Sequence, residues 1–173
     1  PARVRDAAET LVEALEKGKK VLALIGFGAV KSGAGHELKE LVERYQIPFA
    51  TTLDGKGIIS ERHPLCLGVF CDSGHSAAWE AFLGADLVLA VGNSFAQHAT
   101  FGFRDDLFAN RRLIHINIDS GEIDKVYRAD GAIIADAKLA VGALLARVSD
   151  MLEPSTPADR EATDYSDEHI LHV

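Results

Sequence analysis

Several common routes to function are closed by what this 173-residue sequence lacks. Cysteine is scarce: Cys66 and Cys71 are the only two, too few for a disulfide framework and at no metal-binding spacing. No apolar run is long enough to cross a bilayer; the longest, Val21 to Ile25 and Ala85 to Val91, have the length of strands. Positive charge is also short. Eighteen Lys and Arg face 26 Asp and Glu, a net charge of −8, with no basic cluster along any predicted face. That argues against nucleic acid or an anionic membrane as partner. No secretory signal is present, so a reducing cytoplasm is the expected location. No Gly-x-Ser-x-Gly elbow marks a serine nucleophile.

Hydrophobic residues make up 47% and charged residues 25%, the balance of an ordinary globular chain. The length suits one domain with a real core. Position 1 is Pro, so the chain is expected to start inside a longer gene product. Residues 153–168 hold Pro154, Pro157 and six acidic residues against one basic, with little apolar periodicity. The expected division is therefore a domain over 1–152 and a disordered linker or tail over 153–173.

The apolar pattern alternates between two periods. Val4, Ala8, Leu11, Val12 and Leu15 recur at helical spacing, and Gly18 stops them. Val21 to Ile25 is a buried strand ended by Gly26-Phe27-Gly28. Leu38, Leu41, Val42 and Tyr45 mark a helix, Ile47 to Thr51 a second strand and Leu65 to Val69 a third. Ala77, Ala78, Ala81 and Phe82 give a helix with these four inward, closed by Gly84. Leu87 to Val91, Leu113 to Ile118 and Gly131 to Ala135 complete six strands, and a last helix spans about Asp136 to Leu152. Strands that are apolar throughout, separated by helices, predict an α/β fold: a three-layer, doubly wound, Rossmann-like parallel sheet of about six strands. Such sheets bind ligands beyond the carboxyl ends of their strands, where the strand order reverses.

Three strand ends carry candidate chemistry. Gly26-x-Gly28 could let backbone N–H groups approach a phosphate at a helix start, or serve only to reverse the chain. The next glycine, Gly33, lies too far on for a Gly-x-Gly-x-x-Gly fingerprint, which weakens an NAD-dehydrogenase reading. Gly92-Asn93-Ser94-Phe95 offers uncharged hydrogen bonds to a ligand, or a helix N-cap. Asn117 and Asp119 could hold a ribose hydroxyl, although Asp119-Ser120-Gly121 is also good turn chemistry. Of the seven histidines, His115 inside an apolar strand reads as a hydrogen-bonded core residue. His63 and His75 read as surface or capping positions, and His169 and His172 fall in the tail.

The order of the segments resembles the central domain of thiamine-diphosphate (ThDP) enzymes. The stretches that carry it are Gly26-Phe27-Gly28, Ile47 to Gly57, His63-Pro64-Leu65 with Leu67-Gly68, Gly84 to Gly92, and Ile114 to Asp119 with Glu122-Ile123. They span about Ala7 to Leu145. The family includes acetohydroxyacid synthase, oxalyl-CoA decarboxylase, pyruvate decarboxylase and benzoylformate decarboxylase. The resemblance implies an enzyme of three α/β domains, a transferase or lyase acting on 2-oxo acids. In it a first domain supplies a glutamate that activates ThDP, and a third carries the Gly-Asp-Gly…Asn motif for Mg²⁺ and the diphosphate. Leu53-Asp54-Gly55 is not that motif, so the chain is expected to be inactive alone, with no catalytic and no metal-binding residue of its own. Its implied partners are those two domains and, in the intact enzyme, further copies of the same subunit. Family central domains hold FAD, ADP or nothing. The matching cofactor contacts here would be Gly26, Phe27, Gly28, Thr52, Leu53, Gly68, Gly92, Asn93, Ser94, Asn117, Ile118, Glu122 and Asp136. FAD-binding relatives carry an arginine and then Phe-Asp-Asp-Arg after the fourth-strand glycine, where this chain has Asn93 to His98; they also tend to have Asp at the place of Asn117. The lost arginine removes a charge-assisted contact to a diphosphate. A stand-alone nucleotide-binding module of related fold, or a purely structural assembly domain, are the alternatives.

Overall fold

A computed structural model describes residues 2–156. Six parallel strands form one sheet: β1 (Val21–Ile25), β2 (Phe49–Thr51), β3 (Cys66–Val69), β4 (Leu87–Val91), β5 (Arg112–Asn117) and β6 (Gly131–Ile134). Their spatial order is β3-β2-β1-β4-β5-β6, so the winding direction reverses between β1 and β4. β1 and β4 pair over their full length, from Val21 opposite Leu87 to Ile25 opposite Val91. Both are buried at every residue, which is why each reads as an unbroken apolar run. The expected doubly wound, Rossmann-like α/β sheet is the observed fold.

The two faces are covered differently. Alternate strand residues, among them Ala23, Ile25, Leu89, Val91, Ile114 and Ile116, pack beneath helices α1 (Ala2–Glu16), α3 (Gly35–Arg44) and α5 (Ala137–Ser149). The other face, with Leu22, Leu24, Val88, Ala90 and Leu113, has one long cover, α4 (Ser76–Gly84). The rest is aromatic loop. Phe82 on α4 lies 4.5 Å from Phe70 and 5.4 Å from Phe108 between ring centroids, and Phe95 and Phe108 both pack on Tyr127. Arg111 stacks over Phe82 at 4.7 Å. Aromatic rings bury large areas without needing periodic sequence, so they can roof a sheet from irregular backbone.

The α-helices expected between strands lie in two of the five crossovers, and both are observed. One is β1 to β2, through α3 and the short α2 (Phe27–Ser32) that Gly33 ends in the left-handed conformation; the other is β3 to β4, through α4. The remaining three carry single 3₁₀ turns or pairs of them: Leu53–Gly55, His98–Thr100 with Asp105–Phe108, and Ser120–Glu122. On α4, Ala78, Ala81 and Phe82 point inward as expected, whereas Ala77 is half-buried. α5 opens with a side-chain cap, Asp136 accepting from the Leu139 N–H at 3.2 Å. After α5 the chain has no regular structure up to residue 156, and the Ser155 N–H donates to the Arg44 carbonyl at 2.9 Å. The linker expected over 153–173 lies outside the described residues from 157 on.

No described helix is long and apolar enough to cross a membrane. Phe82→Ala should cost about 3–5 kcal/mol, since it empties the centre of the aromatic layer. Leu83→Ala, at a half-exposed position one residue on, should stay within ~1 kcal/mol. Urea unfolding of both variants checks the contrast.

Candidate functional site

The switch in strand order opens a crevice at the carboxyl ends of β1 and β4. The turn after β1 and the loop after β4 touch there, backbone to backbone. The Gly26 N–H donates to the Val91 carbonyl and the Gly28 N–H to the Gly92 carbonyl, both at 2.9 Å. No side chain fits between them. A Cβ on Gly28 would lie 2.8 Å from the Gly92 Cα, and one on Gly26 would overlap the Gly92 carbonyl. Gly92 itself has φ +61°, and a Cβ on it would overlap the Ala29 nitrogen. All three glycines are thus required by close approach of main chain. The amides of Gly26 and Gly28 are bonded to the end of β4 and the loop after it and are not the ones free for a phosphate.

Above this contact lies a cleft of about 360 Å³. Ten of the thirteen positions expected from the resemblance line it: Gly26, Phe27, Gly28, Thr52, Leu53, Gly92, Asn93, Ser94, Asn117 and Glu122. The structure does not bring the other three to it. Gly68 sits in β3 at φ +85°, where a Cβ would strike the ring of His75. Ile118 is 70% exposed at the tip of β5. Asp136 caps α5. Asp54 and Phe70, which also stand at strand ends, line it too, and the cleft has walls that strand-end reasoning missed: Cys71, Ala96, His98 and Ala99. These six residues come from the loops after β2, β3 and β4, and only the fold brings these loops around one opening.

The floor is a polar network. Asn93 is 2% exposed and its Oδ1 accepts from the Phe95 N–H at 2.8 Å, a local turn in place of the expected helix cap. The Asn93 carbonyl accepts twice, from His115 Nε2–H at 2.7 Å and from Asn117 Nδ2 at 3.1 Å. Asn117 Oδ1 in turn accepts from the Asp119 N–H at 3.0 Å, and Asp119 Oδ1 from the Gly121 N–H at 2.8 Å. Asn117 is therefore a cleft-lining residue, while Asp119 has the turn role. Two groups on the cleft lining have buried atoms without a partner: Asn93 Nδ2, a donor, and Glu122 Oε2, an acceptor. Glu122 Oε1 meets Lys125 at 2.8 Å.

His115 is the core histidine expected, with no exposure. Its Nε2–H is committed to the Asn93 carbonyl, and burial holds the imidazole below its ordinary pKa, so the ring is neutral. His63 is not the surface residue expected. Its side chain is 9% exposed, tilted against Phe49, accepts from the Leu65 N–H through Nδ1 and donates from Nε2 to Glu43 at 3.0 Å. His75 stands at the N-cap of α4, but its Nδ1 serves β3, accepting from the Val69 N–H at 3.1 Å. At the rim, His98 Nδ1 meets Asp72 at 3.0 Å, which holds the Asp72 carboxyl below its ordinary range. No group of three or more His, Cys, Asp or Glu among the described residues is placed to hold a metal, and Cys66 and Cys71 are unpaired.

Gly92→Ala should destabilise the domain by about 3 kcal/mol or more in urea unfolding, through left-handed strain and main-chain overlap together. His115 also gives a signed pH effect. Its folded pKa lies below the ordinary 6.5, so its contribution is fully present above about pH 6.5 and is lost as pH falls towards the folded value. The unfolding midpoint should therefore drop between pH 7.5 and 5.5, with a smaller slope in His115→Gln. Equal slopes would remove the assignment.

Residues 8–144 match the family described as thiamine pyrophosphate enzyme, central domain. Among curated proteins the chain is 40% identical, over 147 residues, to the "Probable acetolactate synthase large subunit" of Methanocaldococcus jannaschii, a match covering 84% of this chain and 24% of that one. It is 37% identical over 150 residues to the "Acetolactate synthase" of Arthrospira platensis, covering 85% and 25%. It is 37% identical over 155 residues to the "Acetolactate synthase large subunit" of Cyanidium caldarium, covering 90% and 26%. The chain spans about a quarter of the length of these relatives. With its sheet order, its switch-point crevice and a family match over most of its length, the chain belongs to the central-domain family of thiamine pyrophosphate enzymes.

Proposed function

We propose that this chain works as the central domain of an acetolactate synthase-like ThDP enzyme, a transferase or lyase of 2-oxo acids in the cytoplasm. In that reading it supports and orients flanking domains that hold ThDP and Mg²⁺, and it is not catalytic by itself. The switch-point cleft is its cofactor site, for the adenine-nucleotide portion of FAD or ADP. One observation carries the reading: ten positions chosen by resemblance, scattered from Gly26 to Glu122, converge on a single cleft.

The residues present do not fit ThDP with Mg²⁺, since no metal-ligand cluster exists among the described residues. For a nucleotide the fit is better at one end than the other. Phe27, Leu53, Phe70 and Ala96 offer apolar walls for a planar ring, and Asn117 and Glu122 offer groups for hydroxyls. FAD or ADP would be held there, and in the intact enzyme bound FAD would supply a flavin and bound ADP a charged nucleotide.

A second feature supports the partner reading. Phe27, Leu53, Ile118, Ile134 and Leu139 are 41–72% exposed, and all follow or end strands on the carboxyl edge of the sheet. Apolar residues gathered on one edge suit a docked domain, or the neighbouring subunit of a homo-oligomer.

The purified chain with pyruvate, ThDP and Mg²⁺ should form no acetolactate and give no calorimetric signal with ThDP; turnover by the chain alone would sink the supporting-domain reading. Millimolar FAD, ADP or adenosine should raise the thermal midpoint by a few degrees for at least one of the three, as binding to the folded state requires. Silence from all of them would end the cofactor-site reading.

A further inference from the structure

The cleft's charge and its donors point away from phosphate. Of its lining side chains, Asp54 and Glu122 are carboxylates, and none is Lys or Arg. Its one basic side chain, His98, is paired with Asp72. Two lysines outside the lining contact lining residues: Lys31 lies over the ring of Phe27 at 5.8 Å, and Lys125 is bonded to Glu122.

Several backbone N–H groups around the opening, the other means of holding phosphate, are already bonded within the protein. Gly26 and Gly28 donate to the β4 edge, Thr52 to the Ile25 carbonyl, and Gly55 to Thr52. After β5, Asp119 and Gly121 donate to side chains of their own turn. α2, six residues long, begins beneath this layer with a glycine cap that makes no side-chain bond. The buried side-chain atoms of the lining left without a partner are one donor and one acceptor. Asn93 Nδ2 is a buried donor without a partner; because Oδ1 is fixed by the Phe95 amide, the amide group cannot flip to hide it. Glu122 Oε2 is a buried acceptor without a partner.

Building on the cofactor-site reading above, we propose that this cleft recognises the uncharged nucleoside end of its ligand and discriminates against phosphate. A hydroxyl can donate to Glu122, the planar base can accept from Asn93 Nδ2, and both gains are independent of charge. A diphosphate at the same opening meets the carboxylate of Asp54 and that of Glu122, which Lys125 holds through Oε1 only, and finds no Lys or Arg on the lining, so each added phosphate weakens binding. No lining side chain supplies a free positive charge for a phosphorylated ligand.

Calorimetry of the 173-residue chain with adenosine, AMP and ADP, without divalent cations, tests this. At low ionic strength affinity should fall in that order, with ADP roughly tenfold weaker than adenosine, and the gap should narrow at high salt as screening sets in. Asp54 is exposed, so Asp54→Lys should fold normally by circular dichroism and shift the ADP-to-adenosine affinity ratio at least about tenfold towards ADP. ADP binding as tightly as adenosine or tighter, or a ratio unmoved by Asp54→Lys, overturns the phosphate discrimination while leaving the cleft as a nucleotide site. No heat from any of the three overturns the cofactor-site reading itself, and this inference with it.

Discussion

Main chain lies on main chain where the turn after β1 meets the loop after β4, and the rest of the molecule is arranged around that contact. Two amide–carbonyl bonds, Gly26 to Val91 and Gly28 to Gly92, hold it. Without it, the two strands at which the winding reverses would splay at their carboxyl ends, and the crevice would lose its floor. The cost is conformational. Three glycines must be ordered, and one sits in the left-handed region that side chains avoid. Burial of β1 and β4 at every residue offsets that cost.

This contact also gives the glycine motif a different meaning. A glycine turn between a strand and a helix suggests a phosphate cradle because small residues expose their amides. Here smallness serves another purpose: it lets two loops approach until those amides are consumed. The motif is the same on paper, and only the partner of each N–H separates the two uses. The Asn93 to His98 segment brings no arginine to the cleft.

The strands were legible in the sequence because a parallel sheet covered on both faces demands unbroken apolar runs, and Val21 to Ile25 and Leu87 to Val91 are such runs. The strand ends that face the cleft were legible for the same reason, together with the family resemblance. Other parts were not. Phe70, Phe95, Phe108 and Tyr127 form a roof from loops, which have no period to detect. Gly68 and Asp136 also follow or end strands, yet position in sequence does not say towards which side a loop turns. Cys71 and His98 entered the cleft unannounced because their loops belong to different strands that become neighbours only in three dimensions. His63 read as surface because its environment, Phe49 and Glu43, lies 14 and 20 residues away along the chain.

The doubly accepted carbonyl of Asn93 has a consequence for how this region can change over time. His115 and Asn117 stand on the same strand and share one oxygen atom of the loop after β4. Replacing either leaves the oxygen half-satisfied and frees the survivor to swing, so the first substitution is penalised before a second can compensate. The tips of β4 and β5 therefore form a single heritable unit. Lineages can vary the rim of the crevice loop by loop, but they must exchange its floor as a set.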